Sequence, residues 1–246
     1  MLIPFLPPKR SPAKPSAPDQ GLTLIECLVA IVMVALVAGS IAPVMVISVA
    51  SRVNSQKTEQ ALGIAQAEIE RTRSLVEQGG YATTNLPPVG SNSSGVVAEN
   101  ADISSVLGPN LSVTNSTSFA FVVPVDVNGD GTNDFRVQRF RSSGYTPASA
   151  STPMAFNMGV RVYDISAAGT GNLPTDVASV GPTGGTGERS QRPLAALYTT
   201  LAVGDQDDSL CDLIRYFNST QASPAASTAL TLPPTCVVGS TAASTP

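Results

Sequence analysis

Hydrophobic and polar positions fall into two textures along the first third of the chain. From Cys27 to Ser51 no residue is charged, and the apolar run begins a little earlier, at Leu22. As a helix rising about 1.5 Å per residue, this block reaches roughly 37 Å, more than the roughly 30 Å of a bilayer core. The pattern predicts a membrane-spanning helix. From Arg52 to Gln78 the texture changes. Val53, Ala61, Ile64, Ala65, Ile69, Leu75 and Val76 recur near helical spacing, and Lys57, Glu59, Glu68, Glu70, Arg71 and Arg73 supply polar faces. No proline interrupts this second stretch. The two read as one continuous helix from about Leu22 to Gln78, ended by Gly79-Gly80.

Beyond the helix the periodicity drops to two. Residues 81–118 are rich in Asn, Ser, Thr, Gly and Pro, which predicts an extended loop with one short helix or edge strand. Phe119, Phe121, Val123, Val125 and Val127 then alternate strictly with a second face, and Pro124 points to a free edge or a bulge. An Asn/Gly/Asp turn separates this strand from its expected partner, Phe135 to Arg141. Further strands are predicted near Met158 to Tyr163 and Leu194 to Val203, with Leu213 to Phe217 as a fifth candidate. Residues 142–153, 166–192 and 219–246 read as loops and tail. The fold class expected is α+β: one long N-terminal helix packed on an antiparallel sheet of about four strands, loop-rich.

Composition narrows the chemistry. Twenty Gly and twenty Pro in 246 residues agree with loop-rich β structure. The net charge is −4, and −6 without residues 1–21, which hold Lys9, Arg10, Lys14 and Asp19. An acidic chain without a basic run is a poor tracker of phosphates, so no nucleic-acid partner is expected. Histidine is absent and cysteines number three, which removes His-based triads and the common zinc sites. No nucleophile and base stand together, so no enzymatic activity is expected, and no cofactor is required.

The start of the apolar block carries the most specific signal. Residues 1–20 contain Pro4, Pro7, Pro8, Pro12, Pro15 and Pro18 and have no apolar core of their own. Gly21 follows, then Leu22-Thr23-Leu24-Ile25, then Glu26 as the one carboxylate at the edge of the span. An unpaired charge costs about 2.5–3.5 kcal/mol at the centre of a spanning helix, so Glu26 needs a partner. A secretory signal places its cleavage site after the apolar run, whereas the convincing cut here lies before it.

This arrangement resembles the type IV pilin and pseudopilin family. Its signature is a Gly cut by prepilin peptidase, a short apolar opening and a Glu as fifth residue of the mature chain. The resemblance implies cleavage between Gly21 and Leu22, N-methylation of Leu22, and pairing of its amine with Glu26 of a neighbouring subunit. Pro43 stands where many pilins have a helix-weakening proline. Leu22 replaces the commoner Phe, and the leader is long for the family. The organisation implied is a cleaved cytoplasmic leader (1–21), a transmembrane half-helix (22–51), an amphipathic half-helix (52–78) and an extracytoplasmic β-rich domain (79–246). The cationic leader sets that single-pass orientation in the inner membrane. Implied partners are other pilins or pseudopilins in a filament, prepilin peptidase and a membrane assembly platform. Leu-Ile-Glu-Cys-Leu-Val-Ala and Ala-Gln-Ala-Glu-Ile-Glu-Arg-Thr-Arg resemble minor pseudopilins. In the helix and the Asp/Gly hairpin the chain resembles the B-type pseudopilin of the hormogonium polysaccharide secretion system of filamentous cyanobacteria.

Two further motifs remain open. Asp126, Asn128, Asp130 and Asp134 occupy positions one, three, five and nine of a calcium-type loop, with Gly131 at six. Val137 replaces the Glu that an EF-hand needs at twelve, so a bound Ca2+ would be structural; the alternative is a polar hairpin turn using the same residue types. Cys211 and Cys236 either close a C-terminal loop, as pilins often do, or stay free. Asp205-Gln206-Asp207-Asp208 reads as a solvated acidic loop.

Overall fold

The computed structural model describes residues 23–97, 102–148, 150–179, 187, 190–204, 209–220, 229–234 and 236. Helix α1 runs from Leu24 to Gln78 without a break. Thr23 caps it: the Glu26 amide donates to the Thr23 hydroxyl at 3.3 Å, and the Cys27 amide donates to the Thr23 carbonyl at 3.1 Å. Gly79, at φ 67°, ends it, its amide reaching the Val76 carbonyl at 3.2 Å. The chain divides into two compact units, one ending at Ser48 and one beginning at Val49.

In the first unit the large apolar side chains of α1 are exposed, from Leu24 at 84% through Val34 at 68% to Val46 at 69%. In the second, Ala61, Ala65, Ile69, Thr72 and Val76 are buried at steps of three and four, the stripe a helix lays on a core. Thr72 fits this apolar line because its hydroxyl donates to the Glu68 carbonyl one turn back, at 3.0 Å.

Two two-residue strands, β1 (Ser91–Asn92) and β2 (Gly95–Val96), make a small hairpin. The main sheet has four antiparallel strands in the order β3 (Val122–Val125), β4 (Phe135–Arg141), β5 (Ala155–Asp164) and β6 (Ala195–Ala202). Alternation sorts their side chains. Phe135, Val137, Phe156, Met158, Val160, Val162, Ala195 and Leu201 join the α1 stripe in one core. Phe140 turns to the opposite face and packs with Val97, Ile103 and Val106 from the preceding loop. One long helix packed on a four-stranded antiparallel sheet is the α+β, pilin-like architecture that the sequence predicts.

Three elements differ from the sequence reading. Leu213–Phe217 is not a fifth strand: Ser209–Thr220 forms helix α2. Its apolar residues Leu210, Leu213, Ile214 and Phe217 stand at helical intervals, which a five-residue window hides. The strand expected from Phe119 to Val127 shortens to β3, because residues 117–121 turn and Phe119 packs on the Val97/Phe140 cluster. Within 81–118 the described residues hold two 3₁₀ turns, Thr83–Asn85 and Ile103–Ser105, besides the β1–β2 hairpin.

The outer face of the sheet is held by polar groups that carry no apolar signal. Arg161 is fully buried and donates to the carbonyls of Val106 at 2.9 Å and Ser104 at 2.8 Å, and to the Tyr198 hydroxyl at 2.9 Å. Its guanidinium stacks 4.6 Å from the Phe140 ring centroid. Gln138 donates to the carbonyls of Leu107 and Phe119, both at 3.0 Å. Gly159 leaves room for that ring, since a Cβ there would stand 2.5 Å from Phe140.

Candidate functional site

The first turn of α1 is where sequence chemistry and exposed apolar surface coincide. Gly21 and Leu22 lie outside the described residues, and so does the acidic segment 205–208. Glu26 sits in the first helical turn, exposed, where the unpaired amides of a helix N-terminus favour a carboxylate. Thr23 and Glu26 are spaced as the two residues of a capping box. This Thr-x-x-Glu signal is legible in the sequence, but its meaning is masked there by the apolar run around it. Pro43 lies inside α1. It offers no amide to the carbonyl of Gly39, so the ladder lacks a bond at that turn.

From Leu24 to Met45 no side chain of this helix that can be described is buried. Leu24–Gln78 is the one helix among the described residues long and apolar enough to cross a membrane. An apolar surface of this extent needs lipid or other helices around it.

The hairpin between β3 and β4 brings Asp126, Asn128, Asp130 and Asp134 into one exposed turn, where their oxygens serve the turn's own donors. Asp126 accepts from the amides of Gly129 at 2.7 Å and Gly131 at 2.8 Å. Asp134 accepts from the Val127 amide at 2.9 Å, and the Asn128 side-chain oxygen accepts from the Asp130 amide at 2.9 Å. Asp130 accepts from the hydroxyl and amide of Thr132, and these bonds hold its carboxyl below the usual carboxylate range. The three carboxylates do not converge into a cation-holding cluster among the described residues.

Cys211, at the start of α2, is joined to Cys236 by a disulfide with Cα atoms 5.5 Å apart. Cys27 is free and exposed on α1. Two ion pairs missed by sequence reasoning fasten α1 to the sheet: Lys57 to Asp164 at 2.7 Å and Arg139 to Glu68 at 3.0 Å. Burial opposes ionisation of Asp164, but hydrogen bonds from Lys57 and Ser166 outweigh it and hold the carboxyl below its ordinary range.

Residues 17–42 match the family model of the prokaryotic N-terminal methylation motif. The matched segment contains Gly21, Leu22, Thr23 and Glu26 together with the first turns of α1. No curated protein and no solved structure matches the chain. The motif is that of a type IV pilin-like precursor, which implies processing by prepilin peptidase and assembly with other pilins.

Proposed function

We propose that this chain is a minor pilin or pseudopilin, a structural subunit of a type IV pilus-like or secretion-system filament. It is cut between Gly21 and Leu22, methylated on the new amine, and held in the inner membrane by the first half of α1. Its C-terminal domain lies outside the cytoplasm. A platform protein then draws it into a filament serving polysaccharide secretion or motility. The observation that carries this reading is the methylation-motif match at residues 17–42 on a helix whose apolar side chains lie exposed along its first half. Such a helix suits two environments in turn, a bilayer and a bundle of like helices.

Within the bundle, Glu26 pairs with the Leu22 amine of a neighbour. The pair offsets the desolvation of both charges and fixes the stagger between subunits. Removing one partner leaves a buried charge, a defect of about 3–5 kcal/mol. Glu26→Ala is therefore expected to stop incorporation into filaments, while the domain keeps its melting temperature. Unchanged incorporation would end this role for Glu26.

The direct test is mass spectrometry of the mature N-terminus in cells with and without prepilin peptidase. A start at methylated Leu22, lost without the peptidase, is expected. An intact Met1 would sink the filament reading and leave a membrane-tethered module; a cut beyond Ser51 would sink it too and leave a released domain.

A further inference from the structure

A cleft of about 510 Å³ lies where the last turns of α1 meet the loop that follows the helix and the strand β4. Its size falls within the roughly 300–1,000 Å³ of small-molecule sites. Every residue lining it belongs to the unit that begins at Val49.

The walls are fixed by bonds and packing of their own. Arg71, Ser74, Leu75 and Gln78 stand at i, i+3, i+4 and i+7 on one face of α1. Residues 84–88 form a second wall. There the Ala82 amide donates to the Asn85 side-chain oxygen at 3.0 Å, Leu86 is buried in the core, and the Pro88 carbonyl accepts from the Arg141 amide at 2.9 Å. Ser116 comes from a turn in which the Asn115 side chain accepts from the Thr117 amide at 3.0 Å. Arg139 comes from β4.

The lining holds two guanidiniums and no carboxylate, in a chain whose net charge is −4. Arg139 is already paired with Glu68 at 3.0 Å. Arg71 is exposed and has no ion-pair or hydrogen-bond partner among the described residues. The cleft thus offers one uncommitted cation, whose planar fork of donors fits a single carboxylate. The hydroxyls of Thr84 and Ser116 are also without a partner among the described residues, and the Asn85 side-chain nitrogen is free while its oxygen serves Ala82. Thr72 does not count with them, since its hydroxyl is engaged by the Glu68 carbonyl. An aromatic or acyl ligand would leave these polar groups unpaired. A peptide strand finds little to pair with, because Pro87 and Pro88 have no amides and Arg141 already bonds Pro88 and Gly90. One carboxylate surrounded by hydroxyls is the complement of this lining.

We propose that the cleft binds a uronate-bearing saccharide, its carboxylate on Arg71 and its ring hydroxyls on Thr84, Ser116 and Asn85. The site goes beyond the filament reading and does not rest on it, since the unassembled chain holds the same groups.

The test titrates the full-length chain, in a sugar-free detergent and calcium-free buffer, with trigalacturonate and with neutral maltotriose by calorimetry. One trigalacturonate per chain is expected, with maltotriose at least about tenfold weaker. Arg71→Gln should raise the dissociation constant for trigalacturonate about tenfold or more, as loss of a charge-assisted bond does, and Thr84→Val about threefold. Arg73→Gln is the control: Arg73 stands on the same helix, pairs with Glu70 and does not line the cleft, so its loss should leave the affinity unchanged. A chain that binds no trigalacturonate overturns the proposal. So does binding that Arg71→Gln leaves intact or that Arg73→Gln weakens equally, since the sugar then lies elsewhere or answers to overall charge. Inorganic phosphate or tetraglutamate bound as tightly as trigalacturonate overturns it too, because the cleft would then read charge and not a saccharide.

Discussion

The two halves of α1 are one helix by backbone and two by side chain. In the second half a narrow stripe, Ala61, Ala65, Ile69, Thr72 and Val76, is buried, and the remaining faces carry charge. In the first half Leu, Val, Ile and Met surround the axis, and those described are exposed. A stripe is satisfied by one sheet, whereas apolar surface on all sides needs a solvent of its own kind. The contrast teaches that the same secondary structure serves folding in one half and environment in the other, so substitutions should separate them.

The largest expected effect comes from placing a carboxylate in each half. Ala65→Glu buries an unpaired charge in the core that also holds Phe135 and Met158 and should cost at least about 3 kcal/mol of domain stability, read as a large fall in melting temperature. Ala35→Glu should leave that temperature unchanged. At the centre of the apolar block it costs about 2.5–3.5 kcal/mol of membrane insertion, read by carbonate extraction. Equal melting losses in both variants would break the division between the halves.

This division was legible because charge is absent from one stretch and periodic in the next. The sheet was legible for the same kind of reason. Phe135 and Val137 alternate with Arg136 and Gln138 before Phe140 falls on the other face, and the structure gives the strand the expected bounds. β5 is longer than Met158 to Tyr163 because it is covered on both faces, so Ala155, Phe156 and Asp164 break the alternation that marks a half-buried strand. Leu213–Phe217 misled because a short apolar run has no period of its own. Arg161 and Gln138 were invisible for the opposite reason: they look like surface residues, and only the carbonyls of Ser104, Val106, Leu107 and Phe119 make them core. At the candidate site, Glu26 stood out by being the one carboxylate at the edge of an apolar block, while Thr23 as its cap did not.

A smaller effect tests the hairpin between β3 and β4. Asp126→Ala removes two bonds to the amides of Gly129 and Gly131 and should cost about 1–2 kcal/mol in calcium-free buffer. Its size without calcium is the informative quantity. A loss that appears only when calcium is present would mean that the carboxylates serve a cation before they serve the turn. Urea titrations with chelator and with millimolar calcium separate the two.

The smallest effect concerns the fastening of the helical stripe to the sheet. Lys57 and Ser166 hold the Asp164 carboxyl below its ordinary pKa, in spite of the burial that opposes its charge. A carboxylate whose folded pKa is depressed stabilises the fold above the unfolded value of about 3.9 and loses that contribution as pH falls through the folded value. The domain should therefore weaken on acidification below about pH 4, with this pair responsible for about 1 kcal/mol, since Lys57 is half exposed and solvent screens it. Asp164→Asn should lower stability at pH 7 by that amount and flatten the acid limb of the profile. Among the described residues the first half of α1 holds no ion pair for the same change of pH to act on, so an acid limb unaltered in Asp164→Asn would shift the search to Glu68 and Arg139, the other ion pair between helix and sheet.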